Sequence, residues 1–441
     1  MAPARLGPDQ LAANFADIAP RLSPQAALVE ANRCLYCFDA PCVQACPTAI
    51  PIPHFIRRIA TEDQRGAATA ILSANILGGL CARVCPTEIL CEGDCVRNRP
   101  GDEPIRIGAL QRYATDWVYD ERPALFQRAE ASGRHVAVVG AGPAGLACAH
   151  ALALAGHEVT IFEALDKPGG LNEYGIAAYK LPEFAQIEID WLLGIGGITL
   201  RCGQALGRDF DLDDLRTVHD AVFVAVGLGG SHALGIEGED LGGVRPAVEF
   251  IHELRQCSDL STLPIGRRVV VIGGGNTAID AAIQSKRLGA EQVTLVYRRG
   301  PESMSATGHE QSFAKDEGVV VRHWLAPRRI LGEDGQLSAV EFEQQALDAD
   351  GRLRGTGQGC RLPADLLLLA IGQQLQPPAG LDCAHGRIVV DEHGQTSLAG
   401  VWAGGDASGG GLDLSVQAVE DGKRAAAAID AALRGQGAEH G

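Results

Sequence analysis

No stretch of this sequence is apolar for long enough to cross a bilayer. The longest strongly apolar run, Leu366 to Ile371, falls far short of the roughly 20 residues a spanning helix needs. The N-terminus, Met1 to Gln10, has no apolar core, so no secretion signal is expected. Excess basic charge is also missing: the net charge is −17 with a pI near 5.1, which argues against nucleic acid or anionic membrane as a partner. Residues 31–120 show no strand alternation, and low-complexity sequence is confined to an Ala-rich patch at 425–432.

What is present is cysteine. The chain of 441 residues holds 13, and eight fall between Arg33 and Gln111. Without a secretion signal, so many thiols point to a reducing, cytoplasmic setting and to metal ligation. One run carries Cys34, Cys37, Cys42 and Cys46, the last followed by Pro47. The other carries Cys81, Cys85, Cys91 and Cys95, with Pro86 after the second. Thiolates bunched this tightly suit a soft metal. Two zinc ions would also use eight thiolates. Two iron–sulfur clusters are favoured by the Cys-Pro pairs, which resemble the ends of bacterial ferredoxin runs, where the last cysteine serves the other cluster. Helices expected at 67–77 and 107–117 make this a small helical domain.

After a polar linker at 121–133 the periodicity changes. A buried strand at 134–139 runs into Gly140-Ala141-Gly142-Pro143-Ala144-Gly145, then a helix, then a strand ending at Glu163. This is the dinucleotide-binding pattern: Gly140 for the turn, Gly142 for approach of a pyrophosphate, Gly145 for helix–strand packing, and an acid for a ribose. The arrangement repeats. A strand at 268–272 leads to Gly273-Gly274-Gly275-Asn276-Thr277-Ala278, and the next strand ends in Arg298 and Arg299. Guanidinium groups there suit a 2′-phosphate, favouring NADPH over NADH. Further strands are expected at 221–226, 366–371 and 400–403, and a last helix at 414–433.

The pairing of the first unit with Lys167–Leu171 and with Ala403-Gly404-Gly405-Asp406 resembles the two-dinucleotide-binding flavoprotein reductases over residues 134–435. The resemblance implies FAD at Gly140, Gly142, Pro143, Ala144, Gly145, Glu163, Gly170, Leu171, Lys180 and Asp406. It implies the nicotinamide nucleotide at Gly273, Gly275, Asn276, Thr277, Arg298 and Arg299. Cys148, Cys202, Cys257, Cys360 and Cys383 are scattered singly, so no dithiol relay is expected beside the flavin. The cysteine domain is the remaining acceptor.

Cys34-x2-Cys37-x-Asp39-Ala40-Pro41-Cys42-x3-Cys46-Pro47, with Ile52-Pro53-His54-Phe55, Cys81-x3-Cys85-Pro86-Thr87-Glu88 and Ile107-Gly108-Ala109-Leu110-Gln111, resembles dihydropyrimidine dehydrogenase, most of all its bacterial PreT-type subunits. The resemblance implies one 4Fe-4S cluster on Cys34, Cys37, Cys42 and Cys95. The other would sit on Cys46, Cys85, Cys91 and Gln111, leaving Cys81 unligated. Spacing alone nominates Cys81. Ser305 stands where that enzyme has a further basic residue, which weakens the case for NADPH, and PreT-type subunits can prefer NADH.

The expected fold is α/β: an N-terminal helical iron–sulfur domain (1–127), then an FAD-binding domain (128–245 and 363–441) with an NAD(P)H-binding domain (246–362) inserted. The expected role is electron input. NAD(P)H is oxidised through FAD and two 4Fe-4S clusters, and no catalytic side chain is required. Because the chain lacks the barrel that binds FMN and pyrimidine, uracil or thymine would be reduced on a catalytic FMN-barrel (PreA-type) subunit in a hetero-oligomer. The alternative is a glutamate-synthase-type small subunit.

Overall fold

The computed structural model describes residues 2–3, 6–181, 183–409 and 411–438. The expected domain ends at residues 1 and 441 lie outside that range. The described residues divide into two compact units, Ala19–Glu173 with Glu183–Gly230 and Gln374–Gly441, and Met1–Ile18 with Tyr174–Pro182 and Ser231–Gln373. The division does not follow the expected boundaries. The helical cysteine region and the first dinucleotide fold make one unit, and residues 1–18 and 174–182 go with the second fold.

In the first unit, the cysteine region is built on short helices with caps that the sequence supplies. Ser23 Oγ accepts from Ala26 N at the start of Pro24–Ala31. Asp63 Oδ1 accepts from Gly66 N at the start of Gln64–Ala74. Helix Ile52–Ala60 buries Ile52, Phe55, Ile56 and Ile59, the i, i+3, i+4, i+7 stripe of an amphipathic helix. Those four pack with Ile71, Ile105, Ile107 and Leu110 as the core under the cysteines. The same unit holds a five-stranded parallel sheet in the order Val401–Ala403, Ala221–Val224, His135–Val139, Glu158–Phe162, Ile198–Arg201. Its central strands are apolar on both faces, as parallel strands flanked by helices must be.

In the second unit, a parallel sheet runs Val320–Arg322, Gln292–Val296, Arg268–Gly273, Leu366–Ala370, Val244–Pro246. A three-stranded antiparallel sheet, Leu325–Glu333, Gln336–Leu347 and Leu353–Pro363, is added to it. Nothing in the sequence pattern announced that sheet. Among the described residues no single helix is long and apolar enough to cross a membrane.

The C-terminal helix, Ser415–Ala438, organises the first unit. Gly422 lies against the Gly-loop helix Pro143–Leu154, where a side-chain methyl would overlap the Ala144 carbonyl. Lys423 Nζ donates to Ala74 O at 2.6 Å, tying the same helix to the cysteine region. Gly422→Ala is expected to cost about 1–3 kcal/mol, as overpacking of a fitted interface does, and to loosen bound flavin. Thermal unfolding followed by circular dichroism, with flavin fluorescence as a second channel, checks both.

Candidate functional site

The eight clustered thiols separate into two groups, and the separation does not follow the two runs. Cys34, Cys37, Cys42 and Cys95 line a single cavity, partly open to solvent, whose other walls include Ile52, Ile56, Ile105 and Ile107. Burial pushes the Cys42 thiol up to about 12, with Cys95, Cys34 and Cys37 adding to the shift. Burial raises Cys34 too, with Cys37 and Cys95 contributing. Each thiol is therefore within electrostatic reach of the others. Cys46 is not among that cavity's walls: with Cys85 and Leu414 it packs around buried Cys81, Leu90 and Val416, while it and Cys91 also border the core beneath Cys34, Cys42 and Cys95. A hydrogen bond donated to Cys81 raises the Cys85 thiol well above its ordinary value, followed by burial and by the neighbouring Cys91 and Cys46.

Among the described residues no three His, Cys, Asp or Glu side chains converge tightly enough to hold one metal ion. A zinc ion draws its sulfurs to about 2.3 Å. Thiols spread around a cavity wall fit instead a group that presents several separated irons, one per thiolate.

Cys81 and Cys85 are positioned by the helix Gly78–Val84. Its first turn is held by Glu188, which reaches across from helix Ala185–Leu193 of the dinucleotide fold. Glu188 Oε1 accepts from Gly79 N (2.8 Å), Leu80 N (3.2 Å) and the Tyr119 hydroxyl (2.6 Å). Arg83, on the same helix, pairs with buried Asp116 and stacks on Phe184, 3.5 Å from the ring centre. Gln111 is buried on helix Ile107–Glu121, one turn beyond Gly108, whose amide donates to Glu92 Oε1 at 2.9 Å. Its Nε2 donates to the Gly78 carbonyl at 2.7 Å. Because a carbonyl can only accept, that bond fixes the amide's orientation and turns Oε1 away from Gly78.

Around the first Gly loop the structure gathers three segments. Gly170, at φ +53°, meets Gly142, and Gly169 N donates to Ala141 O at 2.8 Å. Gly405 abuts Ala144, and its amide donates to Asp421 Oδ2 at 3.2 Å. Glu163 ends its strand buried, accepting from Ala141 N (2.8 Å) and Leu165 N (2.9 Å). Burial raises its carboxyl against those amides. Asp406 is likewise raised by burial, then by Asp413. Pro143 opens the helix from Gly142, and a side chain at Gly142 would meet only Gly170. That open backbone fits a pyrophosphate. Leu171 is part-exposed beside it. Lys180 belongs to the second unit, where it is buried between Asp280 (2.8 Å) and Glu310 (2.7 Å). Burial alone would lower that ammonium, but the two carboxylates raise it above the ordinary lysine value.

Around the second Gly loop, Gly273 takes a positive φ against Ala370, and Asn276 and Thr277 open the helix Asn276–Arg287. Above Gly275, among the described residues, the Ser305 hydroxyl alone comes near a side-chain position. Arg298 and Arg299 follow strand Gln292–Val296 and are exposed. Neither guanidinium is paired with another described residue.

Several residues that shape these sites escaped the sequence reading. Glu188, Tyr119 and Asp421 carry no motif. Gly422 offered one signal, since an isolated glycine inside a helical pattern usually marks a close packing contact.

Residues 11–123 match the family described as dihydropyrimidine dehydrogenase domain II, 4Fe-4S cluster. Residues 134–422 match the pyridine nucleotide-disulphide oxidoreductase family. The chain is 35% identical over 432 residues to the NAD-dependent dihydropyrimidine dehydrogenase subunit PreT of Escherichia coli O157:H7, covering 96% of this chain and 98% of that protein. It is 34% identical over 446 residues to the glutamate synthase (NADPH) small chain of Escherichia coli strain K12, covering 94% and 93%. The NADP(+)-dependent formate dehydrogenase subunit beta of Moorella thermoacetica is 36% identical over 437 residues, covering 90% of this chain and 60% of that one. Among solved structures, Mycobacterium tuberculosis FprA in complex with NADPH shares the fold, with a TM-score of 0.60 at 22% identity, covering 69% of this chain and 86% of FprA.

Burial raises the Glu188 carboxyl to about 7, against the Tyr119 hydroxyl, the Leu80 and Gly79 amides and Arg83. A carboxyl raised in the folded state favours folding fully below its unfolded value and loses that contribution as pH rises through about 7. Between roughly pH 4.5 and 7 the folded unit should therefore lose about 2–3 kcal/mol from this group. Glu188→Gln is expected to flatten that slope. Melting temperatures at stepped pH for both proteins make the comparison.

Proposed function

This chain belongs to the family of pyridine nucleotide-linked oxidoreductases that includes the PreT subunits of dihydropyrimidine dehydrogenase and the glutamate synthase small chain, and we propose that it is the electron-input subunit of a dihydropyrimidine dehydrogenase. It is an NAD(P)H-dependent oxidoreductase of the iron–sulfur flavoprotein type. The finer proposal is two 4Fe-4S clusters and one FAD per chain, a cytoplasmic location, and an FMN-barrel partner subunit that reduces uracil or thymine.

The observation that carries the relay reading is the crossing of the cysteines. Cys34, Cys37 and Cys42 share their cavity with Cys95 from the second run, while Cys46 joins Cys81 and Cys85. Exchange of ligands between runs is how two neighbouring clusters are held by paired ferredoxin-type sequences. FAD, when bound, supplies the conversion between the two electrons of a hydride and single electrons for the clusters. The chain's own residues hold and orient. The Gly140–Gly145 backbone and Glu163 take the FAD phosphates and ribose, and Asp406 takes the ribityl chain. The Gly273–Thr277 loop takes the nicotinamide nucleotide.

Gln111 is the proposed fourth ligand of the second cluster, supported by the turned-out Oε1; Cys81 is the competing ligand, supported by its bond to Cys85. An amide oxygen in place of thiolate leaves the cluster one charge less negative, which moves its potential. Gln111→Cys should retain iron and shift one cluster's potential, and Cys81→Ser should leave iron content unchanged. Iron assay and redox titration followed by electron paramagnetic resonance read this. Loss of iron in Cys81→Ser but not in Gln111→Ala reverses the assignment. Zinc in place of iron ends the relay reading.

NADPH is the proposed donor, with NADH the alternative, on the strength of the two unpaired guanidiniums at Arg298 and Arg299. Neutral replacement of both should weaken NADPH by about 2–4 kcal/mol, for one bidentate and one simple charge-assisted contact, and barely affect NADH. Equal losses for the two nucleotides, measured by fluorescence titration, would make the pair structural.

A further inference from the structure

The first cysteine group is not sealed. Leu35 and Val96 line its cavity beside the thiols, yet they are 55% and 41% exposed. Phe38, next in sequence to Cys37, is 99% exposed, and Tyr36 on the other side of Cys37 is 36% exposed. Tyr36 also holds a left-handed φ of +51°, with its hydroxyl donating to Ala31 O at 3.2 Å. The turn is thus braced with its apolar side chains outward. The arginine bordering the mouth, Arg97, is turned inward to Asp102 (2.9 Å) and the Arg33 carbonyl (2.7 Å). Exposed Asp39 follows Phe38, and exposed Arg57 lies within electrostatic reach of Tyr36, so on a chain of net charge −17 this mouth is mainly apolar with one charge of each sign beside it.

We propose that Leu35, Tyr36, Phe38 and Val96 form the surface on which the electron-accepting partner subunit docks, presenting an apolar patch over its own redox centre. This rests on the electron-input reading above. The exposed apolar area is roughly 400 Å². That is far below the area of an obligate dimer and matches the small contacts of electron-transfer pairs, so a second copy of this chain is not the occupant. Two residues of the face, Leu35 and Val96, are also walls of the first thiol group's cavity. One electron crosses per transfer, oxidising the iron–sulfur side and reducing the partner's centre, with no bond made or broken. Docking there covers the mouth and excludes water from the path.

The test uses the full-length holoprotein and the FMN-barrel subunit of bacterial dihydropyrimidine dehydrogenase as probe, with affinity measured at low and high salt. Phe38→Asp should weaken binding by about tenfold or more, the loss expected for an aromatic anchor. Phe38→Leu should stay close to wild type, as should a control charge at another exposed apolar position, Val218→Asp. Iron and flavin content should be the same in all four proteins, and salt should change the affinity little. Wild-type binding with an unaffected Phe38→Asp variant overturns the docking surface and leaves the electron-input reading standing. No binding by wild type overturns the FMN-barrel assignment and this occupant together. A wild-type dimer that Phe38→Asp splits assigns the face to self-association and overturns the proposal.

Discussion

One buried carboxylate holds the arrangement together. Glu188 belongs to the dinucleotide fold but bonds backbone amides at the start of the helix that presents Cys81 and Cys85. Those amides would otherwise be orphans at a buried helix end, and leaving them unpaired would cost more than the bond itself contributes. The carboxylate in turn needs donors to be buried at all. Each side satisfies the other, so the cysteine helix can take up one position only. Arg83, stacked on Phe184 and paired with Asp116, joins the same cluster.

From that joint the two thiol groups acquire different surroundings. The group containing Cys81 and Cys85 is roofed by Leu414 and Val416 at the head of the last helix. The group containing Cys34, Cys37, Cys42 and Cys95 opens toward solvent. Solvent exposure and nearby charge are main determinants of an iron–sulfur potential, so identical ligand chemistry would not give the two sites identical potentials. The buried group has the Glu92 carboxyl beside Cys91; the open group has Arg97 beside Cys34 and mainly apolar side chains around its mouth.

The parts legible in the sequence were those encoded locally. Gly140, Gly142 and Gly145 follow a strand and open a helix within a few residues, and the structure draws Gly170 and Gly405 to that same loop. The Cys-Pro pairs pointed to exchange of ligands between the runs, and the cavity walls show Cys95 beside Cys34, Cys37 and Cys42. What stayed hidden depends on partners far away in the chain. Glu188 bonds a backbone 109 positions distant, and backbone has no identity to read. Strand Leu353–Pro363 is polar and glycine-rich, so its alternation gave no signal. The charge and burial of Lys180 are set by Asp280 and Glu310, which lie far along the chain and carry no motif. Residues 1–18 group with the second fold through pairing of Ala2 with Ile265, a contact no local pattern announces.

The last helix has an implication for how this protein is assembled. Val416 packs against the buried thiols, and Gly422 lies on the helix that follows the first Gly loop. One rigid element thus contributes to both sites. A cofactor that binds only the ordered form of its site stabilises that form; with a shared wall, the stabilisation extends to the other site. Loading with iron and loading with flavin are then thermodynamically linked. Each favours retention of the other by the same factor, and cells starved of either nutrient would accumulate chains deficient in both.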